Sequence, residues 1–189
     1  MSQMPEMELY DFVALRGFHL SVFCVAIYFA FVAKQKGIAF LYDKRFKLDS
    51  DYNIKQVSYW ITFGVIFVFH FSFDKINYAI IPLDLDYMFR RRLFYLVRVW
   101  IVLMFLTSIY ALHSLRGCPF SSTTRMIFYI TISIATLSFV QLVLRGYLHT
   151  DIFSPVYRGV TAVHNVLIST TLLSYPAKEL YQSYRRRTA

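Results

Sequence analysis

The sequence predicts an all-α protein: a polytopic membrane helix bundle that forms a single integral membrane domain over residues 1–189. Of its 189 residues, 57% are hydrophobic and 19% are aromatic, whereas only 16% are charged, against about 25% in soluble domains. A soluble domain of this size would leave much of that aromatic surface exposed to water. In addition, most of the basic residues flank apolar runs, a pattern typical of membrane anchoring.

Four apolar runs predict firm membrane spans. At about 1.5 Å per residue, each can cross or nearly cross a hydrocarbon core of roughly 30 Å. The run 93–112 is the most distinct, because Arg90, Arg91 and Arg92 precede it and mark where it leaves the membrane. A weaker run, 156–175, predicts either a fifth span or an interfacial helix that ends at Pro176, followed by a basic tail over 176–189. The four firm spans cover residues 12–33, 57–73, 93–112 and 126–144.

The distribution of basic residues gives two competing topologies. If all five runs cross, the N-terminus is outside, and twelve basic residues lie inside against seven outside. If four cross, both termini are cytoplasmic, and the counts are eleven and eight. We expect the second topology, because it keeps both arginine triplets in the cytoplasm. We also expect the protein to lie in a bacterial inner membrane.

Four polar side chains fall at a similar depth within different runs: His19, His70, Arg98 and His164. An ionisable group inside a membrane is a functional candidate, so they suggest a haem b or quinone pocket, a proton relay or an anion site. The structural alternative, which we favour, is that the histidines bond to carbonyl groups between helices while Arg98 extends to the membrane surface. These three histidines are metal ligands only if haem is bound.

Soluble catalytic motifs are absent from the sequence. It contains no phosphate-binding glycine loop, no Gly-x-Ser-x-Gly and no His-Glu-x-x-His. His113 and His149 lie at or beyond the ends of spans, where an interfacial position is expected. A non-enzymatic role is therefore favoured, with no cofactor.

One face of the run 126–144 carries mainly small residues, namely Thr131, Ala135, Ser138 and Gln141. Such a face favours close helix packing and self-association, so we expect a homo-oligomer. The alternative is a small oligomeric ion channel lined by this stripe.

Two arginine triplets are candidate docking surfaces for lipid or for a partner protein. They are Arg90, Arg91 and Arg92, and Arg185, Arg186 and Arg187. Their positions beside apolar runs indicate lipid headgroups or an acidic protein surface, not direct nucleic-acid binding.

The length of the chain and its runs beginning at Phe12, Val57, Leu93 and Met126 resemble the membrane subunit of the Kiwa anti-phage defence system. This resemblance implies an oligomeric sensor of membrane disturbance that recruits a cytosolic, nucleic-acid-binding effector in antiviral defence. It assigns no functional residue.

Overall fold

The computed structural model describes residues 9–43, 47–80, 82 and 84–188, and within these ranges the protein is all-α, without strands. A π-helical turn, Leu142–Tyr147, directly follows the helix Ser122–Gln141. Four segments are long and apolar enough to cross a membrane, namely Leu15–Gln35, Asp51–Ser72, Tyr87–Arg116 and Ser122–Tyr147. They confirm the four predicted runs and the membrane helix bundle. The helices are α1 (Leu9–Lys36), α2 (Ala39–Tyr42), α3 (Asp51–Ile80), α4 (Tyr87–Arg116), α5 (Ser122–Gln141) and α6 (Ser154–Thr188).

Helix α4 is longer than its apolar run because polar residues define its two ends. The carboxylate of Asp86 accepts hydrogen bonds from the amides of Met88 and Phe89, at 2.9 and 3.1 Å. At the other end, Gly117 adopts a left-handed conformation (φ 65°), and its amide donates to the carbonyl groups of His113 and Ser114 in the last turn. Caps of this kind satisfy the backbone groups that a helix end leaves unpaired.

The five long helices run side by side between two ends of the bundle. We call the end that holds the start of α4 end A, and the opposite end, where α4 finishes, end B. Helices α1, α4 and α6 run from A to B, and α3 and α5 return. Contacts fix this order: the rings of His19 and His70 meet about midway along the bundle, level with Phe105 of α4, whereas those of Phe29 and Trp60 meet nearer end B.

The core is largest toward end B, where aromatic rings from α1, α3 and α6 pack around Trp60. Its indole ring lies 4.8 Å from the ring of Phe29 and 4.8 Å from that of Tyr59, centroid to centroid. Tyr59 in turn stacks on Tyr175 of α6 at 4.2 Å. Because Trp60 and Tyr59 are almost fully buried, these contacts join the C-terminal half of α6 to the bundle.

Pro176 does not end the helix formed by the run 156–175, contrary to the prediction. This helix, α6, continues through the proline to Thr188. A proline lacks the amide that would bond to the carbonyl four residues earlier, here that of Leu172. The hydroxyl group of Tyr59 donates a hydrogen bond to this carbonyl at 2.8 Å. A side chain from α3 therefore supplies the hydrogen bond that the proline cannot make.

The continuous α6 places the two arginine triplets at opposite ends of the bundle, whereas the topology expected from the sequence has them on one side of the membrane. Near end A, Tyr157 of α6 contacts the ring of Tyr95, at 6.3 Å between centroids. Near end B, the hydroxyl of Tyr52 donates to Glu179 at 3.2 Å. Arg185 and Arg186 follow beyond that point, and the side chain of Arg187 lies outside the described residues.

Candidate functional site

The structure brings together two of the four polar residues predicted at a common depth. The rings of His19 on α1 and His70 on α3 meet edge to face, with 4.6 Å between centroids. His19 donates through Nδ1 to the carbonyl of Leu15 at 2.8 Å. Beside them lies an almost wholly apolar cavity of about 160 Å³, in which His70 and Thr131 supply the polar groups among the described lining residues.

The other two residues have partners of their own. The guanidinium carbon of Arg98 lies 5.4 Å from the centroid of the Tyr157 ring, a cation–π distance. His164 is within 2.5 Å of the hydroxyl of Ser133 through Nε2, and Nδ1 lies 2.6 Å from the carbonyl of Val160. The contact with Ser133 joins α6 to α5 through a hydroxyl group, whereas the structural alternative predicted carbonyl groups of other helices; the Val160 carbonyl belongs to α6 itself.

The histidine pair does not have the geometry of a haem site. Two histidines that share a haem iron face each other across the porphyrin plane, whereas His19 and His70 are in direct ring contact. Among the residues described, no three His, Cys, Asp or Glu side chains are grouped closely enough to hold a metal ion. The haem alternative therefore gains no support from this pair.

A buried hydroxyl–histidine network near end B joins α3, α4 and α5. Its members are Ser58, Thr62, His113, Ser121 and Thr124, and all are buried. Ser58 Oγ lies 2.9 Å from His113 Nε2 and 2.8 Å from Thr124 Oγ1, and it accepts the amide hydrogen of Ser121 at 2.9 Å. Sequence reasoning missed this network: it expected His113 at the membrane interface and gave no sign that its side chain is buried between helices.

The direction of the bonds follows from the backbone. His113 Nδ1 lies 2.8 Å from the carbonyl of Ile109, which can only accept, so Nδ1 carries the hydrogen and Nε2 of the neutral ring is an acceptor. Ser58 therefore donates to His113, as a serine nucleophile does to its base. However, Ser58 and His113 are only 0% and 2% exposed, so the pair holds helices together instead of meeting a substrate.

End A carries an arginine–tyrosine cluster built on the start of α4 and the π-helical turn. Arg145 donates to the carboxylate of Asp151 at 2.5 Å and to the hydroxyl of Tyr95 at 2.9 Å. Arg91 also reaches Asp151, at 3.3 Å, and Arg92 donates to the carbonyl of Gly146 at 2.7 Å.

The π-helical turn accounts for this arrangement. A turn of this type widens the helix and is frequent at functional sites. It allows the chain at Gly146 to approach α4 so closely that a Cβ there would lie 3.2 Å from Arg92 Cγ. The bonds of Arg145 and Arg92 both depend on this approach. Single-sequence patterns give no signal for such a turn.

The predicted small-residue stripe lies inside the protomer. Thr131, Ser138 and Gln141 are buried and Ala135 is partly buried. This stripe therefore does not present a surface to neighbouring protomers, so neither the channel alternative nor the expected homo-oligomer gains support from it.

Comparisons with protein-family models, with curated proteins and with solved structures gave no match. The fold and the contacts define the class: an all-α protein with four helices suited to crossing a membrane. Its described polar groups are mostly buried between helices or gathered at the two ends. The resemblance to the Kiwa membrane subunit stays a prediction.

Proposed function

We propose that this protein is a non-enzymatic membrane scaffold that senses membrane disturbance in a bacterial inner membrane and recruits an acidic cytosolic effector. The effector binds the basic tail at end B, the C-terminal part of α6. A homo-oligomer would present several tails together and so raise the avidity for a multivalent partner.

The observation that carries the proposal is the exposed helix that extends from the bundle at end B. Residues 180–186 are all exposed, and they include Leu180, Tyr181 and Tyr184 at 58%, 66% and 68%. Tyrosine beside arginine is typical of interface centres. Arg185 and Arg186 add a positive charge that favours an acidic partner.

The start of the tail is held against the bundle, and residues 180–186 extend beyond it. Tyr175 stacks on Tyr59 at 4.2 Å, and Tyr52 bonds to Glu179 at 3.2 Å. An interfacial helix that lies flat on lipid would break both contacts. The basic face of the tail therefore contacts water in this proposal. Movement of α6 within the bundle would change the position of this face.

The charge distribution supports a cytoplasmic position for end B. With α6 crossing, twelve basic residues lie at end B against seven at end A, and the positive-inside rule then places end B in the cytoplasm. This reverses the topology that we expected from the sequence, because the arginine triplet of α4 then faces outward.

The test is affinity purification from detergent with the variant Arg185→Gln/Arg186→Gln. Each exposed ion pair contributes up to about 1 kcal/mol, so the affinity for an acidic soluble partner should fall by up to about thirtyfold. Arg125→Gln is the matched control, because Arg125 is exposed at the same end on α5. Capture should weaken with salt and survive in the control.

Two outcomes would overturn the proposal. One is equal capture of the same partner by the wild type and the double variant. The other is a wild type that captures no soluble partner but retains anionic lipid through its tail arginines, because the tail would then be a lipid anchor. A Soret band in the purified wild type would instead revive the haem alternative.

A further inference from the structure

We propose that the arginine–tyrosine cluster at end A binds the headgroup phosphate of an anionic phospholipid. The site is a cavity of about 430 Å³ between the end of α3, the start of α4 and the π-helical turn, within the range of about 300–1,000 Å³ typical of ligand pockets. Its described lining residues are Ile80, Tyr87, Arg90, Arg91, Phe94, Tyr95 and Arg145.

The positive charge of the residues that line the cavity favours binding of an anion. Three of the described lining residues are arginines, and none is a carboxylate. Asp151 lies beside the cavity and bonds to both Arg91 and Arg145. This one carboxylate can neutralise only one of the two guanidinium charges. A phosphate that accepts from these guanidinium groups would form charge-assisted hydrogen bonds, for which the arginine fork is well suited.

The guanidinium groups are already held in position. Arg91 and Arg145 are only 14% and 26% exposed at their side chains, and Asp151 links them. Arg145 is further fixed by the hydroxyl of Tyr95 at 2.9 Å, and Arg91 lies 5.1 Å from the centroid of the Tyr87 ring. Little side-chain entropy is therefore lost when an anion binds.

The rest of the cavity wall favours a lipid over free phosphate. Ile80 is buried and Phe94 partly buried, and both line the cavity beside the arginines. The site also begins where the apolar segment Tyr87–Arg116 begins, the level at which headgroups meet acyl chains. Basic pockets between transmembrane helices on the cytoplasmic side bind anionic headgroups, and the same charge-assisted hydrogen bonds can form at end A.

The experiment compares lipids retained by the purified full-length protein. The protein is reconstituted in nanodiscs of equal phosphatidylglycerol and phosphatidylcholine, released, and analysed by native mass spectrometry. Wild type should retain mainly phosphatidylglycerol. The variant Arg91→Gln/Arg145→Gln should lower the ratio of the two lipids roughly tenfold or more, the effect of losing charge-assisted hydrogen bonds.

Two further variants guard against a general loss of structure. Arg90→Gln leaves the link between Arg91, Asp151 and Arg145 intact and should lower the lipid ratio in a folded protein. Arg125→Gln, at end B, should leave the ratio unchanged. The proposal fails if wild type retains the two lipids equally, or if Arg125→Gln lowers the ratio as much as Arg90→Gln does. It also fails if inorganic phosphate in excess displaces the lipid completely, because the site would then take the free anion.

Discussion

Removing one hydroxyl group, in Tyr59→Phe, tests how α6 passes through Pro176. The phenylalanine keeps the ring that stacks on Tyr175 but removes the donor that lies 2.8 Å from the carbonyl of Leu172. That carbonyl has no amide partner four residues on, because residue 176 is proline. A buried acceptor left unpaired costs about 1–3 kcal/mol, and membrane bundles fall at the lower end. We expect a loss of about 1–2 kcal/mol in the free energy of unfolding.

The assay is reversible unfolding in mixed micelles, followed by tryptophan fluorescence, since Trp60 lies 4.8 Å from Tyr59. A second background, Pro176→Ala, restores the missing amide. There, Tyr59→Phe should cost less than about 0.5 kcal/mol, because the carbonyl regains a backbone partner. Tyr129→Phe, at a residue 65% exposed, is the control and should change nothing. An equal cost of Tyr59→Phe in both backgrounds would refute the reasoning.

Three other predictions follow from the buried network and from the loops. Ser58→Ala unpairs buried groups on two helices and should destabilise the protein by about 2–4 kcal/mol, whereas Ser72→Ala, exposed on the same helix, should cost under about 0.5 kcal/mol in the same assay. The hydrogen bond from Arg145 lowers the pKa of the Asp151 carboxyl group. The stability that this carboxylate adds to the fold is therefore present above its unfolded-state pKa and is lost as the pH falls through its folded-state pKa. The denaturant midpoint of unfolding should drop below about pH 4, and Asp151→Asn should lack that drop. Burial raises the pKa of the Cys118 thiol, so in a Cys24→Ala background a maleimide should label the protein only when it unfolds.

The positions of the helices could be predicted from the sequence, because hydrophobic runs alone determine which segments are stable in lipid. Their ends could be predicted less well, because they depend on polar caps such as Asp86 and Gly117. The continuation of α6 through Pro176 could not be predicted, because proline breaks a helix by a local rule and the compensating donor, Tyr59, comes from another helix.

For the candidate sites, too, some features could be predicted from the sequence and others could not. Depth along each run correctly suggested that His19 and His70 lie at one level, and the structure brings their rings together. Depth says nothing about rotation around each helix axis, which directs His164 to Ser133 instead. The network around His113 could not be predicted, because its hydroxyl groups come from other helices.

Accessibility of single cysteines tests the central claim, that the two basic ends lie on opposite membrane faces, most directly. Tyr87 at end A and Tyr184 at end B are both exposed, and each is replaced by cysteine in a chain in which Cys24 and Cys118 are alanine. In intact cells, an impermeant maleimide should label Tyr87→Cys and spare Tyr184→Cys, and inverted vesicles should give the reverse. Labelling of both positions from the same side would contradict the account.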